Sequence, residues 1–131
     1  MSENSTSTGP ETLNDRWCAA FNAGDITRLM TMYEEDAVIV PGPGADPVVG
    51  HQAIETALRG FVAMGGTLHF SPRHWLVTGD LALGSAAFVM DGGHDADGVP
   101  VGLHGVTAEL VRRQTDGSWK YVIDHPFGGA G

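Results

Sequence analysis

The sequence predicts an α+β domain, with three helices in its N-terminal half packed on one face of a strongly curved, mainly antiparallel sheet from its C-terminal half. Three observations carry this. Apolar residues recur at helical spacing as far as about residue 64, and the period changes at Thr67. From there to Phe127, strand-like segments are separated by turns rich in Gly and Asp.

Residues 1–9 (MSENSTSTG) are polar and aperiodic, and they read as a disordered tail ahead of one domain over residues 10–131. Thr8-Gly9-Pro10-Glu11 has capping-box spacing, with Pro10 suited to a first helical turn. Leu13, Trp17, Ala20 and Phe21 follow at helical spacing, and Gly24 ends the run as a C′ residue does. Asp25 can cap a second, short helix whose stripe is Ile26, Leu29, Met30 and Tyr33. Val38-Ile39-Val40 is a short β-branched strand, stopped by Pro41-Gly42-Pro43-Gly44. Val48-Val49-Gly50 leads into a third helix over roughly residues 51–64, with Ile54, Leu58 and Phe61 on one face and Gly65-Gly66 at its end.

Four antiparallel strands follow, at roughly 67–78, 81–91, 100–115 and 118–127. They join at Gly79-Asp80, at Gly92 to Gly98, and at Asp116-Gly117. The last joint is the strongest hairpin signal, because Asp-Gly suits a two-residue type I′ turn.

Composition narrows the function classes. A chain of 131 residues fits one domain, and its 19 Gly and 7 Pro stay below the level of a disordered chain. Seven Lys and Arg against 16 Asp and Glu leave a net charge of −9, and Arg112-Arg113 is the nearest thing to a basic run. That argues against nucleic-acid and membrane-surface binding, which need clustered cations. Cys18 is the single cysteine, so neither an intramolecular disulfide nor a Cys-rich zinc motif is available. No signal-peptide pattern opens the chain and no apolar run approaches the roughly 18 residues of a membrane span. A cytoplasmic location is expected.

Arg16-Trp17-Cys18-Ala19-Ala20-Phe21-Asn22-Ala23-Gly24-Asp25 is followed by Tyr33-Glu34-Glu35-Asp36-Ala37-Val38, then by Gly50-His51-Gln52-Ala53-Ile54 and the hairpin Thr115-Asp116-Gly117-Ser118-Trp119-Lys120. Together these resemble the SnoaL-like and ketosteroid-isomerase-like members of the nuclear transport factor two superfamily, from about Pro10 to Phe127. The resemblance implies a cone of helices and sheet around an apolar pocket, no cofactor, and a homodimer formed through the sheet's outer face. It does not imply one chemistry, since the superfamily holds isomerases, cyclases, dehydratases, epoxide hydrolases and binding modules.

Carried over residue by residue, the steroid isomerase's oxyanion Tyr falls on Trp17, an N–H donor without acid chemistry. Its base falls on Val40, which cannot move a proton, and its oxyanion Asp falls on Glu109. Steroid isomerisation by that mechanism is not expected.

A pair of carboxylates offers a different acid–base device. If Asp116-Gly117 is a two-residue turn, Thr115 pairs with Ser118, Val111 faces Val122, and Glu109 faces Asp124. The matched position points Glu109 into the cone, so Asp124 points in beside it, with Cβ atoms roughly 4.5–5.5 Å apart. Burial and mutual repulsion then raise a carboxyl pKa, and a shared proton makes one partner acid and the other base. The alternative is that one carboxylate meets an Arg or a hydroxyl such as Ser85, or reaches solvent at the cone's mouth.

Of the six histidines, His51, His69, His74, His94, His104 and His125, one is placed at the pocket. A two-residue Gly79-Asp80 turn sets His74 opposite Ser85, and the resemblance turns that face inward. His74 is then either a proton shuttle or a hydrogen-bonded core histidine. His125 follows Asp124 on one strand and faces the other way. No paired-His spacing suggests zinc. Asp91 to Gly98 has the carboxylates of a calcium loop but not its closing Glu, and reads as a solvated hairpin loop. Gly42-Pro43-Gly44 opens no helix, so it is a rigid turn at the pocket mouth rather than a phosphate cradle.

Trp17, Tyr33, Phe61 and Phe70 could line the site of a flat ligand or simply be core, with Val40, Ser85, Val111 and Val122 completing the lining. Leu110, Ile123, Trp119, Tyr121 and Phe127 are assigned to the other sheet face, where that much apolar surface favours a homodimer. The leading expectation is a cofactor-free, metal-free acid–base enzyme of isomerase, cyclase or dehydratase type, acting on a hydrophobic carbonyl compound. Glu109 and Asp124 would be its acid–base pair, with His74 and Trp17 orienting or polarising the substrate. A non-catalytic container for hydrophobic ligands and a dimerisation scaffold are the alternatives. An inward pair with room beside it favours the enzyme, salt-bridged acids the container, and a filled pocket the scaffold.

Overall fold

The computed structural model describes residues 9–129. The expected tail, apart from Gly9, and Thr8 of the expected capping box lie outside them.

Helix α1 (Glu11–Asn22) starts directly after Pro10 and buries Leu13, Trp17, Ala20 and Phe21, the predicted stripe. Its last side chain ties it to the sheet: the Asn22 amide donates to Leu68 O at 3.0 Å and its oxygen accepts from Leu68 N at 2.8 Å. Gly24 takes φ +68° at the exit, where a side chain would be strained. Asp25 caps α2 (Ile26–Met30), its carboxylate accepting from Arg28 N at 3.0 Å.

Tyr33 is not on α2, as the periodicity predicted. It opens β1 (Tyr33–Ile39), which is longer than the expected Val38–Val40 strand. The acidic run Glu34-Glu35-Asp36 concealed the strand, yet β1 tolerates it: Glu35 and Asp36 are exposed, and Glu34 meets Arg112 and Gln114, both at 2.9 Å. The short β2 (Val48–Val49) folds back on β1 and leads into α3 (His51–Ala63), which buries Ile54 and Leu58.

The remaining strands are β3 (Thr67–Thr78), β4 (Leu81–His94), β5 (Pro100–Val106), β6 (Ala108–Arg113) and β7 (Trp119–His125). The sheet runs β2-β1-β7-β6-β4-β3, with β5 also on β4, and only the β1–β7 pairing is parallel. The single strand expected at 100–115 is broken at Thr107. There β4 changes neighbour, pairing with β6 through Leu81–Gly84 and with β5 from Ala87 onward. Thr107 holds the corner: its hydroxyl accepts from Ala86 N at 2.9 Å, and its carbonyl accepts from the Ser85 hydroxyl at 2.7 Å. The three helices and this bent, unclosed sheet make the α+β cone.

Two hairpins set the register. Gly79-Asp80 is a two-residue loop, and His74 pairs with Ser85 as expected. At the last hairpin the loop has one more residue, Thr115-Asp116-Gly117, closed by Gln114 N to Ser118 O at 2.7 Å and Gly117 N to Gln114 O at 3.0 Å. Val111 therefore faces Tyr121 rather than Val122. A bulge at Val122 then inserts one residue into β7, so that Leu110 faces Ile123 and Glu109 faces Asp124. Trp119 and Tyr121, expected on the outer face, are instead buried in the core, and Phe127 turns in to the cavity. Among the described residues, no helix is long and apolar enough to cross a membrane.

Candidate functional site

Inside the cone lies an apolar cavity of about 620 Å³, its open mouth included. Half-buried Phe61, Phe70, Leu103 and Phe127 stand towards solvent. Asn14, Glu109, Tyr121 and Asp124, all buried, close the deep end. Trp17 forms part of the wall, stacked on Phe21 with ring centroids 5.2 Å apart and on Phe70 at 5.9 Å.

Glu109 and Asp124 are paired across β6 and β7 and both line the cavity. Each is held by its own chain of donors. Trp17 Nε1 donates to Tyr33 Oη at 2.9 Å, and Tyr33 Oη donates to Asp124 Oδ2 at 2.6 Å. On the other side the Tyr121 hydroxyl donates to Asn14 Oδ1, and Asn14 Nδ2 donates to Glu109 Oε1 at 2.9 Å. The two tyrosine rings lie against each other, with centroids 5.1 Å apart. Glu109 Oε2 is buried and has no hydrogen-bond partner among the described residues.

Burial pushes the Glu109 carboxyl up to about 7, with the charge of Asp124 adding to the rise while Thr107 and Asn14 oppose it. Burial likewise raises Asp124, to about 6, against the pull of the Tyr33 hydrogen bond. Tyr33 and Tyr121 are pushed well above their ordinary value, first by burial and then by Asp124, so both remain donors. The geometry is asymmetric. Asp124 accepts from an O–H donor, which favours its carboxylate, whereas burial and the charge of Asp124 favour a proton on Glu109. Because Glu109 Oε1 accepts from Asn14, that proton belongs on Oε2.

The other expected site residues divide. Trp17, Phe61 and Phe70 line the cavity. Tyr33 lies behind Asp124, touching it without reaching the lining, and Val111 is fully buried in the core, paired with Tyr121. Val40 does not line the cavity: Ile39 does, paired with Asp124, and alternation turns Val40 away. Val122 is the bulge residue, half-buried off the lining. Ser85 is buried at the Thr107 corner, not in the cavity.

His74 is exposed on the outer face and reaches nothing in the cavity. Its pairing was right and its face wrong, because Leu81 to Met90 is apolar on both faces and alternation there marks neither. The inward side is that of Gly84, Phe88 and Met90, with Gly84 directly opposite Glu109.

Asn14, Thr107 and Tyr121 were missed by the sequence reading. For Asn14 a signal existed, a polar side chain within the apolar stripe that holds Leu13 and Trp17. For Tyr121 none did, since its face depends on the extra loop residue. Among the described residues, no group of three or more His, Cys, Asp or Glu side chains could hold a metal ion.

Residues 14–122 match the family model of the SnoaL-like domain. The chain belongs to the SnoaL-like family. No curated protein matches it in sequence. Among solved structures, the SnoaL-like chain is similar to a ketosteroid isomerase-like protein from Erwinia carotovora atroseptica, with 24% identity, a TM-score of 0.79, and 94% and 95% of the two chains covered. A candidate dehydratase of the NTF2-like family from Streptomyces avermitilis is similar at 23% identity and TM-score 0.70, over 88% of this chain and 89% of that one. An NTF2-like protein of unknown function from Shewanella oneidensis superposes at 18% identity and TM-score 0.71, over 88% and 93%. At these identities the likeness establishes the NTF2-like fold, and the chemistry rests on the cavity's own residues.

Proposed function

We propose that the protein is an acid–base enzyme acting on a neutral, hydrophobic carbonyl compound bound in the cone. The observation that carries the reading is the Glu109–Asp124 pair at the deep end of the cavity, one carboxyl poised to give a proton and the other to take one. With the carbonyl oxygen against Glu109 Oε2, that proton passes to the oxygen as Asp124 removes the α-proton. The C–H electrons form the C=C bond of an enol, leaving Asp124 protonated and Glu109 ionised. Returning a proton at a different carbon isomerises the substrate, and loss of a β-hydroxyl as water dehydrates it. Tyr33 holds Asp124 in its carboxylate form, and the aromatic walls take the apolar body of the substrate.

The test is exchange of α-protons for deuterium in a panel of bicyclic aryl ketones, followed by NMR in heavy water. The wild type is expected to accelerate exchange for at least one member, with Asp124→Asn losing roughly 10²–10⁴-fold and Glu109→Gln a comparable factor. His74→Ala is expected to leave the rate unchanged. Binding without any exchange would instead support the container reading.

We propose as well that two copies pair through the outer sheet face, where Leu76, Leu83, Leu110 and Ile123 stand side by side in register across β3, β4, β6 and β7.

A further inference from the structure

We infer that the same cavity takes hydrophobic organic cations, with the ammonium group of an aryl-alkyl amine seated between Glu109 and Asp124. This goes beyond the carbonyl chemistry proposed above and does not depend on it.

The site is built for a positive charge in three respects. First, two carboxyl groups share the deep end, and among the described residues no Lys, Arg or His lines the cavity. Whatever negative charge the pair carries has no counterion there. Second, Glu109 lines the cavity while only 2% exposed, and its Oε2 is buried without a hydrogen-bond partner among the described residues. A buried acceptor left open carries a cost that a ligand donor removes. Of the neighbouring donors, Asn14 is already committed to Oε1 and locked there by Tyr121, and the Thr107 hydroxyl faces Glu109 without forming a well-aligned hydrogen bond to Oε2. Third, Trp17, Phe70, Phe88 and Tyr121 bring aromatic rings to the lining, and ring quadrupoles attract a cation. A ketone oxygen can engage Glu109 only as a proton acceptor. An ammonium has enough N–H donors for Glu109 Oε2 and the free lone pairs of Asp124 together. The net charge of −9 adds a long-range field that draws cations and repels anions.

The groups facing the pair are few. Tyr33 from β1 and Tyr121 from β7 stay neutral, and from α1 Asp15 and Arg16 act at longer range on Tyr121. Arg16 opens into a separate cleft with Arg28 and Lys120. The cavity walls from α3, β3, β4 and β5 are apolar. Seating the ammonium must therefore discharge the proton held by Glu109.

Calorimetric titration with 2-phenylethylamine, against 2-phenylethanol as its neutral counterpart, tests this. At pH 6.5 the amine is expected to bind at least about tenfold tighter than the alcohol and to release about half to one proton, read from two buffers of different ionisation enthalpy. Its affinity is expected to fall by at least about 100-fold between pH 8 and pH 5, as Glu109 and then Asp124 become protonated, while the alcohol's stays level. Glu109→Gln and Asp124→Asn should each weaken the amine about tenfold or more and spare the alcohol. Equal affinity for the two ligands, amine binding without proton release, or an amine affinity flat from pH 5 to 8 would each overturn the inference. These readouts on the wild type need no variant to fold. A protein that exchanges no ketone proton yet binds the amine would retain this inference and lose the catalytic one.

Discussion

At the scale of single residues, the raised carboxyls make folding itself depend on pH. Glu109 and Asp124 titrate at about 7 and 6, above their unfolded values of 4.5 and 3.8. The folded state therefore binds protons more tightly than the unfolded chain. The stability these groups contribute is fully present in acid, below the unfolded values, and is lost as pH rises through 6 and 7. Glu109→Gln removes one such group. In urea unfolding, the stability of wild type relative to this variant should drop by about 3 kcal/mol between pH 4 and pH 8.5. Parallel pH profiles would contradict the assignment. Tyr33→Phe deletes the hydroxyl at 2.6 Å from Asp124, so carboxyl-detected NMR should find the Asp124 titration moved further up, with about 1–3 kcal/mol of stability lost. The acidic pair was legible in the sequence because both members sit on strands of one hairpin. The link to Asn14 was not: that residue stands out as polar within an apolar stripe, but it lies 95 residues from Glu109 in sequence and no local pattern joins the two.

At the scale of elements, the Glu109–Asp124 register was reached through two offsets that cancel. The hairpin loop is one residue longer than Asp-Gly chemistry predicts, and the Val122 bulge restores the count one turn of the ladder later. Between them, the pairings of Val111, Arg112 and Arg113 and the faces of Trp119 and Tyr121 differ from expectation. Gly117 holds φ +86° in that loop, so Gly117→Ala should cost about 1 kcal/mol, seen as a Tm lower by several degrees with the cavity unchanged. The Thr107 corner was illegible for a different reason. Val106-Thr107-Ala108 holds no Gly, Pro, Asn or Asp to mark a break, and the break follows from β4 changing neighbours there, a tertiary event. Thr107→Val leaves the Ala86 amide unpaired and should cost about 1–3 kcal/mol in chemical denaturation. A loss far smaller than that would mean the corner holds without the hydroxyl.

At the scale of the whole molecule, the register aligns one apolar residue from each of six strands on the outer face. Val49, Val38, Ile123, Leu110, Leu83 and Leu76 are successive partners from β2 to β3. Strands stand about 4.8 Å apart, so the row extends about 24 Å, long enough for the centre of an interface of roughly 800 Å² per partner. Val49, Leu76, Leu83 and Ile123 remain 61%, 60%, 44% and 40% exposed in the single chain, which is costly for a row of adjacent side chains. A second sheet packed face to face would cover it at about 10 Å separation, with two-fold symmetry placing the row against itself. Leu83 lies one strand in from the end of the row, so Leu83→Arg buries an unpaired charge in the interface without touching the cavity on the opposite face. Sedimentation at micromolar concentration should find the wild type dimeric and the variant monomeric, while 2-phenylethylamine binding persists in both. A wild type that sediments as a monomer removes the dimer and leaves the cavity chemistry standing, because Glu109, Asp124 and every donor that holds them belong to one chain.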